Sequence, residues 1–533
     1  MSSNNQWISK KKTINASRGM VATSEPLASQ AGLDILKKGG NAIDAAIAVA
    51  ACLTVVEPTS NGIGGDNFAL IWHSGKLHGL NSSGHAPSLW TLDYMKKNKW
   101  DEIPKYGFIP VTVPGAVAGW AEMHKKFGKL SFIEVLSPAI QYARKGFKVS
   151  QTVSQYWKLS NQIYKKNLKG LEFSSWFDTF TKDGKTPEPG ETFFLNDHAN
   201  TLEDIAKTYG ESFYRGKIAD QIDAFSRSYE GLIRKSDLSS FIPKWVDPIS
   251  INYKGYNVWE IPPNGQGAVA LMALNMIENF KFKNCESISK IHHQIEAMKL
   301  AFADGHAYIS DPSSMKTDIQ DLLSKTYAKQ RAKLIGSRAE IRTPGIPKSS
   351  GTVYFAVADK DGNMVSMIQS NYMGFGSGLV VPNTGIALHN RGHNFSLDPS
   401  SDNCLSPGKR PYHTIIPGFL TKGMDAIGPF GVMGGFMQPQ GHLQVIMNMI
   451  DFHMDPQKAL DAPRWQWMEG NRITVEPGFK DSTLKGLIQK GHIVEIESNL
   501  GSFGRGQIIY RDPVTKVYQG GTEKRCDGTI ASY

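Results

Sequence analysis

The sequence predicts a layered α+β fold, in which strand-rich regions alternate with helices around a large buried core. A helix of almost wholly apolar residues, AIDAAIAVAACLTVV, follows Asn41 and is expected to be buried on all sides. A hairpin of two apolar strands spans 352–370. A second strand-rich region, near 414–433, leads into another helix at a glycine pair. Because no internal repeat is visible, the pattern favours packed layers of helix and sheet.

The N-terminal third is predicted to contain two helices and a strand. Apolar residues recur every four positions over 27–35, which is typical of a helix. Asn41 is then a predicted N-cap for the apolar helix, with Asp44 three residues on. The glycine-rich stretch SNGIGGDNFALIW predicts a loop that feeds a strand at 68–72. It has no lysine and no following helix, so a phosphate-binding loop is not expected.

The middle of the chain is predicted to be mostly helical. Residues 121–240 are helix-rich, and a strand is broken by the proline pair at 262–263 before the next helix begins. An amphipathic helix is predicted over 290–311. Its adjacent His292 and His293 point to different helix faces, so we expect no shared metal ion there.

Composition excludes several classes of function. The chain has 533 residues, is 40% hydrophobic and carries a net charge of +10 that is spread along its length. This favours a solvated surface and not a nucleic-acid or membrane partner, although anionic small substrates stay possible. No transmembrane or secretory signal pattern is visible, so a cytoplasmic location is expected. No CxxC pair occurs, so we expect no metal, cofactor or disulfide framework from the scattered cysteines Cys52, Cys285, Cys404 and Cys526.

The hairpin contains a candidate nucleophile. Thr352 follows Ser-Ser-Gly and opens the first apolar strand. If the Gly351–Thr352 bond is cut, Thr352 gains an α-amine whose pKa of ~7.7–8.0 suits it to act as general base for its own hydroxyl. The same hydroxyl can attack the preceding carbonyl, so the chain can process itself. Taken alone, the pattern is also compatible with an ordinary strand start.

A glycine pair near the C-terminal third is a candidate oxyanion hole. Gly434 and Gly435 stand directly before a predicted helix in the stretch GVMGGFMQPQGH. Backbone N–H groups at such a turn are well suited to stabilise a developing negative charge. The alternative is an ordinary glycine turn.

Several separate stretches together resemble the gamma-glutamyltranspeptidase family of N-terminal nucleophile hydrolases. They follow the family's order along nearly the whole chain: GMVATSEPLASQAGLDILKKGGNAIDAAIAVA, NGIGGDNF, VTVPGAVAGW, the Thr352 hairpin with VADKDGN, GFGSG, GKRP, MGG and RCDGTIASY. The resemblance implies a four-layer αββα sandwich built from two subunits, residues 1–351 and 352–533. It implies that Thr352 is nucleophile and base and that Gly434 and Gly435 form the oxyanion hole. Ser370 stands where the family has a threonine hydroxyl near the nucleophile.

The substrate-binding positions implied by the resemblance are less well matched. Ser83, near His85, stands where the family has an arginine for the glutamyl α-carboxylate, and Asn394 where it has an aspartate for the α-amino group. The other altered positions are Tyr372, Arg391, His413 and Thr414. This pattern is closer to the acylase-like and small-acid amide hydrolase branch. We therefore expect weak selection for a γ-glutamyl group and a cationic pocket for another carboxylate, made by Arg391, His85, His413 and Arg410.

The sequence therefore predicts an autoprocessing amidohydrolase or acyltransferase that forms an acyl-threonine and passes the acyl group to water or an amine, as in γ-glutamyl transfer and glutathione hydrolysis. One alternative is a hydrolase of amides whose acyl part has a carboxylate but no α-amine, of oxamate or glutaryl type. An alternative of another class is an inactive binding relative. The expected partners are a small-molecule amide and the protein's own two subunits, and the assembly of several copies into a homo-oligomer is left open.

Overall fold

The computed structural model describes residues 11–342 and 352–533, and its strands cover both halves of the chain. In chain order they are β1 (Ile14–Ala16), β2 (Met20–Thr23), β3 (Asp66–His73), β4 (Lys76–Ser82), β5 (Phe147–Lys148), β6 (Thr192–Phe193), β7 (Lys244–Val246), β8 (Ile249–Tyr253), β9 (Tyr256–Glu260), β10 (Val353–Ala358), β11 (Met364–Ser370), β12 (Gly418–Lys422), β13 (Asp425–Met433), β14 (Trp465–Glu469), β15 (Arg472–Val475), β16 (Ile493–Ile496), β17 (Arg505–Arg511), β18 (Tyr518–Thr522) and β19 (Thr529–Ser532).

The helices lie between these strands. In chain order they are α1 (Pro26–Lys37), α2 (Ala42–Val56), α3 (Leu92–Lys97), α4 (Ala116–Phe127), α5 (Phe132–Lys145), α6 (Gln151–Asn167), α7 (Ser174–Phe180), α8 (Asn196–Thr208), α9 (Glu211–Tyr214), α10 (Lys217–Ser228), α11 (Lys235–Ser239), α12 (Gly267–Ile277), α13 (Ile288–Tyr308), α14 (Ile319–Leu322), α15 (Lys325–Ala332), α16 (Met437–Ile450), α17 (Pro456–Asp461) and α18 (Asp481–Gln489). In the described part of the chain, each helix is too short or too polar to cross a bilayer.

Two seven-stranded sheets form the centre of the described protein. Their strand orders are β1-β18-β17-β13-β12-β9-β8 and β19-β2-β10-β11-β3-β4-β7. The sheets pack face to face through β10, β13 and β17. The apolar cluster around α2, α4, α5 and α8 covers one outer face, and the cluster around α12, α13 and α16 covers the other. The predicted αββα sandwich is confirmed.

The hairpin at the centre explains why both of its strands read as continuous apolar runs. Tyr354 and Ala356 on β10 face the opposite sheet. Val353, Phe355 and Val357 on the same strand face the helical layer. Because alternate side chains point to opposite faces, a strand buried on both sides has no polar face. β10 and β11 pair in register from Val353–Gln369 to Ala358–Met364, which places Thr352 at the end of the hairpin beside Ser370.

The apolar helix α2 starts as the sequence predicts. Asn41 accepts hydrogen bonds from the N–H groups of Ile43 and Asp44, and the Asp44 carboxylate accepts one from the N–H of Asn41, which completes a capping box. Every residue of the helix is buried. Its packing against β10 and β11 fixes the helical layer behind the hairpin.

The two predicted subunits are interleaved. In one sheet, β2 and β3 from residues 1–351 pair on either side of the β10–β11 hairpin from residues 352–533. In the other sheet, β9 pairs with β12 across the same division. The boundary at 351 and 352 is therefore a predicted cleavage within one fold and does not separate two independently folded domains.

The strand-rich region predicted near 414–433 begins later than expected. β12 begins at Gly418. Gln266 donates a side-chain hydrogen bond to the carbonyl of Thr414, and the N–H of Ile416 donates to the side chain of Gln438. Side chains thus satisfy the backbone that a neighbouring strand would otherwise pair, and this stretch is free to line the site.

Candidate active site

Thr352 lies at the start of the central hairpin and is fully buried. Its Oγ1 lies 3.2 Å from Oγ of Ser370. Ser370 Oγ also accepts a 2.7 Å hydrogen bond from the N–H of Tyr372, so the serine can still donate its own proton to Thr352. Gly351 lies outside the described residues, and cleavage before Thr352 stays a prediction.

Tyr372 has an unusual backbone conformation that serves this contact. Its φ is 74°, in the left-handed region that non-glycine residues seldom adopt. The turn aims its N–H at Ser370, and the ring carries its hydroxyl to Asn394, to which it donates a hydrogen bond. Two hydrogen bonds therefore stabilise the strained backbone of Tyr372 next to the predicted catalytic residues.

Ser370→Ala is expected to retain the fold but lower kcat by about 10- to 100-fold, because Thr352 loses a hydrogen-bond partner that supports its reacting oxygen. Initial rates at saturating amide, on protein whose circular dichroism is unchanged, measure this. Ser370→Thr restores the hydroxyl and is expected to recover most of the activity. An alanine variant with full kcat would show that the 3.2 Å contact has no part in the chemistry.

The glycine pair stands at the junction of β13 and α16. Gly434 and Gly435 have φ of 142° and 59°, both in the region that favours glycine. The carbonyl of Gly434 accepts a hydrogen bond from the N–H of Met437 inside the first helical turn. Because the C=O and N–H of one peptide unit point in opposite directions, the N–H of Gly435 points away from the helix. Gln266 fixes the next peptide by donating to the carbonyl of Gly435 at 2.9 Å. The geometry suits an oxyanion hole, a role that stays a prediction.

A buried ionic cluster lies behind the hairpin and centres on Asp66, which pairs with Ser370 in the sheet register. His413 Nε2 lies 2.7 Å from the Asp66 carboxylate, and Arg391 Nε lies 3.3 Å from it. Arg391 also donates to the hydroxyl of Thr414 at 2.8 Å and lies over the ring of Tyr372. Each ionic side chain of the cluster is fully buried.

The pKa values in this cluster follow from burial and charge. Burial alone would raise the pKa of Asp66, but His413 and Arg391 outweigh it and hold that pKa well below its usual range. Burial, followed by the charge of Arg391, lowers the pKa of His413 to about 4. At neutral pH the cluster is therefore a carboxylate paired with one guanidinium and a neutral imidazole.

A cavity of about 400 Å³ adjoins the predicted site. Its walls are His306, Tyr372, Met373, His393, Asn394, Phe395, Ser396, Ser401, Asn403, Tyr412 and Phe436. Phe436 follows the glycine pair directly, and the N–H of Tyr372 donates to Ser370, so chain neighbours of the predicted catalytic residues line the cavity. The lining contains no aspartate, glutamate, lysine or arginine.

The structure divides the predicted substrate-binding residues into two groups. Tyr372 and Asn394 line the cavity. The other five do not line it: Ser83, Arg391, His413 and Thr414 are fully buried, and His85 is half-buried. Ser83 donates to the side chain of Asn81, and half-buried His85 lies by the carbonyl of Ala86.

The structure does not bring the four residues of the expected cationic pocket into the described cavity, and their role in binding a carboxylate stays a prediction. Arg391 and His413 are engaged by Asp66, and Arg410 donates to the backbone carbonyl of Ser83. Asp66 was not among the predicted site residues, although an acidic residue inside the otherwise uncharged run NGIGGDNFAL is a usable signal. His306, which reaches the cavity from the end of α13, was not predicted either and carries no local signal in the sequence.

One cluster in the described residues has metal-ligand chemistry, formed by His292, Glu296 and His492. Atoms that could bind a metal already contact other side chains. His292 Nδ1 lies 2.9 Å from His492 Nε2, and the ammonium of Lys299 donates to Glu296 at 2.6 Å. A cation would have to compete with that ammonium for the carboxylate. The cluster is well explained as a buried polar network, in which Nδ1 of His492 is left without a hydrogen-bond partner among the residues that the structure describes.

Comparison with known proteins identifies the family. The model of the gamma-glutamyltranspeptidase family matches residues 28–533. The glutathione hydrolase-like YwrD proenzyme of Bacillus subtilis (strain 168) is 39% identical, over 97% of this chain and 99% of its own length. The oxamate amidohydrolase proenzyme of Klebsiella pneumoniae is 32% identical, over 97% and 99%. A crystal structure of cephalosporin acylase from Bacillus halodurans is 56% identical, with a TM-score of 0.97 over 100% of this chain and 99% of that one. The matches cover nearly the whole chain, and the protein belongs to the gamma-glutamyltranspeptidase family of N-terminal nucleophile hydrolases.

Proposed function

We propose that the protein cuts itself before Thr352 and then hydrolyses or transfers the acyl group of a small amide through an acyl-threonine. The observation that carries this proposal is the 3.2 Å contact between Thr352 Oγ1 and Ser370 Oγ at the start of a fully buried strand. The proenzyme names of the relatives support the processing step.

The proposed reaction uses few groups. Cleavage exposes the α-amine of Thr352, which takes the hydroxyl proton as Oγ1 attacks the amide carbonyl. The N–H of Gly435 stabilises the resulting oxyanion. Collapse of the intermediate breaks the C–N bond, and the α-amine returns its proton to the leaving amine. Water or a second amine then attacks the ester and releases the acyl product, which restores Thr352.

The residues also favour an enzyme over an inactive binding relative. A protein that only binds needs neither a hydroxyl at 352 nor the turn that aims the N–H of Tyr372 at Ser370. Both are retained, together with two glycines whose φ values suit an N–H donor facing the site. Retention of strained geometry around a nucleophile is typical of a working site.

For the substrate, we propose that the enzyme does not require an α-amino and an α-carboxylate group at the end of the acyl group. Ser83 is buried away from the cavity. Asn394 accepts a hydrogen bond from Tyr372 and donates one to the carbonyl of Tyr412, so its amide is already engaged. The cavity lining supplies no carboxylate for an ammonium group. The cephalosporin acylase and the oxamate amidohydrolase among the similar proteins are in keeping with other acyl groups.

We expect a γ-glutamyl nitroanilide and a glutaryl nitroanilide to have kcat/KM values within about tenfold of each other, because the α-amino group that distinguishes them finds no charged partner. The measurement is kcat/KM for both donors under one set of conditions. Thr352→Ala is the control, with turnover lost for both. A γ-glutamyl preference above about a hundredfold would show that residues other than those described above select the ordinary family substrate.

A further inference from the structure

The guanidinium of Arg391 lies over the ring of Tyr372, which lines the cavity, but its charge is paired inside the protein. Arg391 and His413 both contact the Asp66 carboxylate, and the second guanidinium nitrogen of Arg391 lies 3.5 Å from its other oxygen. His389 approaches the same carboxylate at 3.5 Å. A substrate carboxylate that bound to Arg391 and the two histidines would need the place that the Asp66 carboxylate already fills.

Exchange of Asp66 for a substrate carboxylate would be unfavourable. Asp66 and Arg391 are fully buried, and breaking a buried pair leaves an uncompensated charge in a medium of low polarity. Arg391 is further fixed by Thr414 on one nitrogen and by the face of the Tyr372 ring. The guanidinium therefore has an internal partner that a diffusing acyl group cannot readily replace.

The cavity itself has uncharged and aromatic walls. The His306 ring stacks on that of Tyr412 at 5.4 Å and lies 5.6 Å from that of Phe436. Burial lowers the pKa of His306 to about 4, so its imidazole is neutral at neutral pH. No described residue forms a hydrogen bond with its ring nitrogens. A neutral imidazole can donate or accept one hydrogen bond to a polar but uncharged group.

We propose that Asp66 is a specificity-determining residue: by neutralising Arg391 behind the cavity, it makes the enzyme favour uncharged acyl groups over acyl groups that carry a carboxylate. This rests on the proposed amide hydrolysis and narrows its substrate class. The favoured donors are amides whose acyl group ends in a ring or a neutral polar group, packed against Tyr412 and Phe436 and hydrogen-bonded to His306.

The test uses two donors that differ only in charge, glutaryl nitroanilide and the analogue in which the terminal carboxylate is a primary amide. The self-cleaved protein is expected to favour the neutral donor by at least about tenfold in kcat/KM, since a carboxylate in an unpaired, partly dehydrated cavity is costly. Asp66→Asn frees the positive charge of Arg391 and is expected to shift the ratio toward glutaryl by at least about tenfold.

Two controls distinguish an effect of the charge at position 66 from a general loss of structure. Asp66→Asn combined with Arg391→Met removes both charges, and the ratio is expected to return toward that of the unchanged protein. Glu296→Gln alters another buried carboxylate, which pairs with Lys299, and is expected to leave the ratio unchanged. If Asp66 had only a structural role, its substitution would lower kcat/KM equally for both donors, and the ratio of the two kcat/KM values would stay the same.

The outcomes distinguish this inference from the proposed function. A glutaryl preference in the unchanged protein overturns the inference, whether or not Asp66→Asn folds, and so does an Asp66→Asn variant whose ratio does not change. Cleavage of both donors with the wrong preference leaves the amide hydrolase intact. Cleavage of neither donor by folded, self-cleaved protein would count against the proposed function and remove the inference with it.

Discussion

Thr352→Ala is expected to remain one chain of 58.8 kDa with no amidase activity. The unchanged protein is expected to separate into chains of about 39 and about 20 kDa, because only a hydroxyl at position 352 can attack the preceding carbonyl. Denaturing electrophoresis with intact mass of the smaller chain measures the cut, and nitroanilide release measures activity. The loss of turnover is expected to be at least about 10³-fold, since one residue supplies both nucleophile and base.

Thr352→Ser is the matched control for this prediction. It keeps the hydroxyl within reach of Ser370 and removes one buried methyl group, so processing and turnover are expected to continue at a reduced rate. Both variants should remain folded, because β10 keeps its pairing with β11 and β2. Turnover by an uncut protein, or by Thr352→Ala, would mean that another group performs the chemistry.

The central hairpin shows why some elements could be predicted from the sequence. Both strands have apolar residues on each face, because a helical layer covers one side and the other sheet covers the opposite side. The turn between them carries an Asp-Gly step that local chemistry already demands. Asn41 and Asp44 likewise act within one helical turn, so the start of α2 was visible. An element can be predicted from the sequence when its local pattern agrees with the way it packs in the folded protein.

The ionic cluster shows why other parts of the site could not be predicted. Asp66 is separated from Arg391 by 325 positions and from His413 by 347. No spacing rule connects them, and only the placement of β3 beside β11 brings Asp66 to Ser370. In the sequence alone, Arg391 is a candidate to bind a substrate carboxylate. In the structure its charge is balanced by Asp66, and the proposed substrate therefore changes to an uncharged acyl group.

Gly435→Val is expected to lower kcat by about 10²–10³ while KM changes little, because it displaces a donor to the transition-state oxyanion. At the observed φ of 59°, valine is strained by about 1–2 kcal/mol. The chain can relieve that strain by rotating the peptide between Gly434 and Gly435, which turns the N–H of Gly435 away from the site. The measurement is kcat and KM for a neutral nitroanilide, with thermal unfolding as the check on the fold.

Gly423→Val provides a control with the same backbone strain. Gly423 lies in the turn between β12 and β13, has a φ of 57° and has no atom within 4 Å of the position that a Cβ would take. Its valine variant is expected to lose a similar amount of stability and to keep its kcat. If both variants lose the same stability and only Gly435→Val loses kcat, the effect lies in the orientation of one peptide. An unchanged kcat in Gly435→Val would remove the glycine pair from the mechanism and require another donor for the oxyanion.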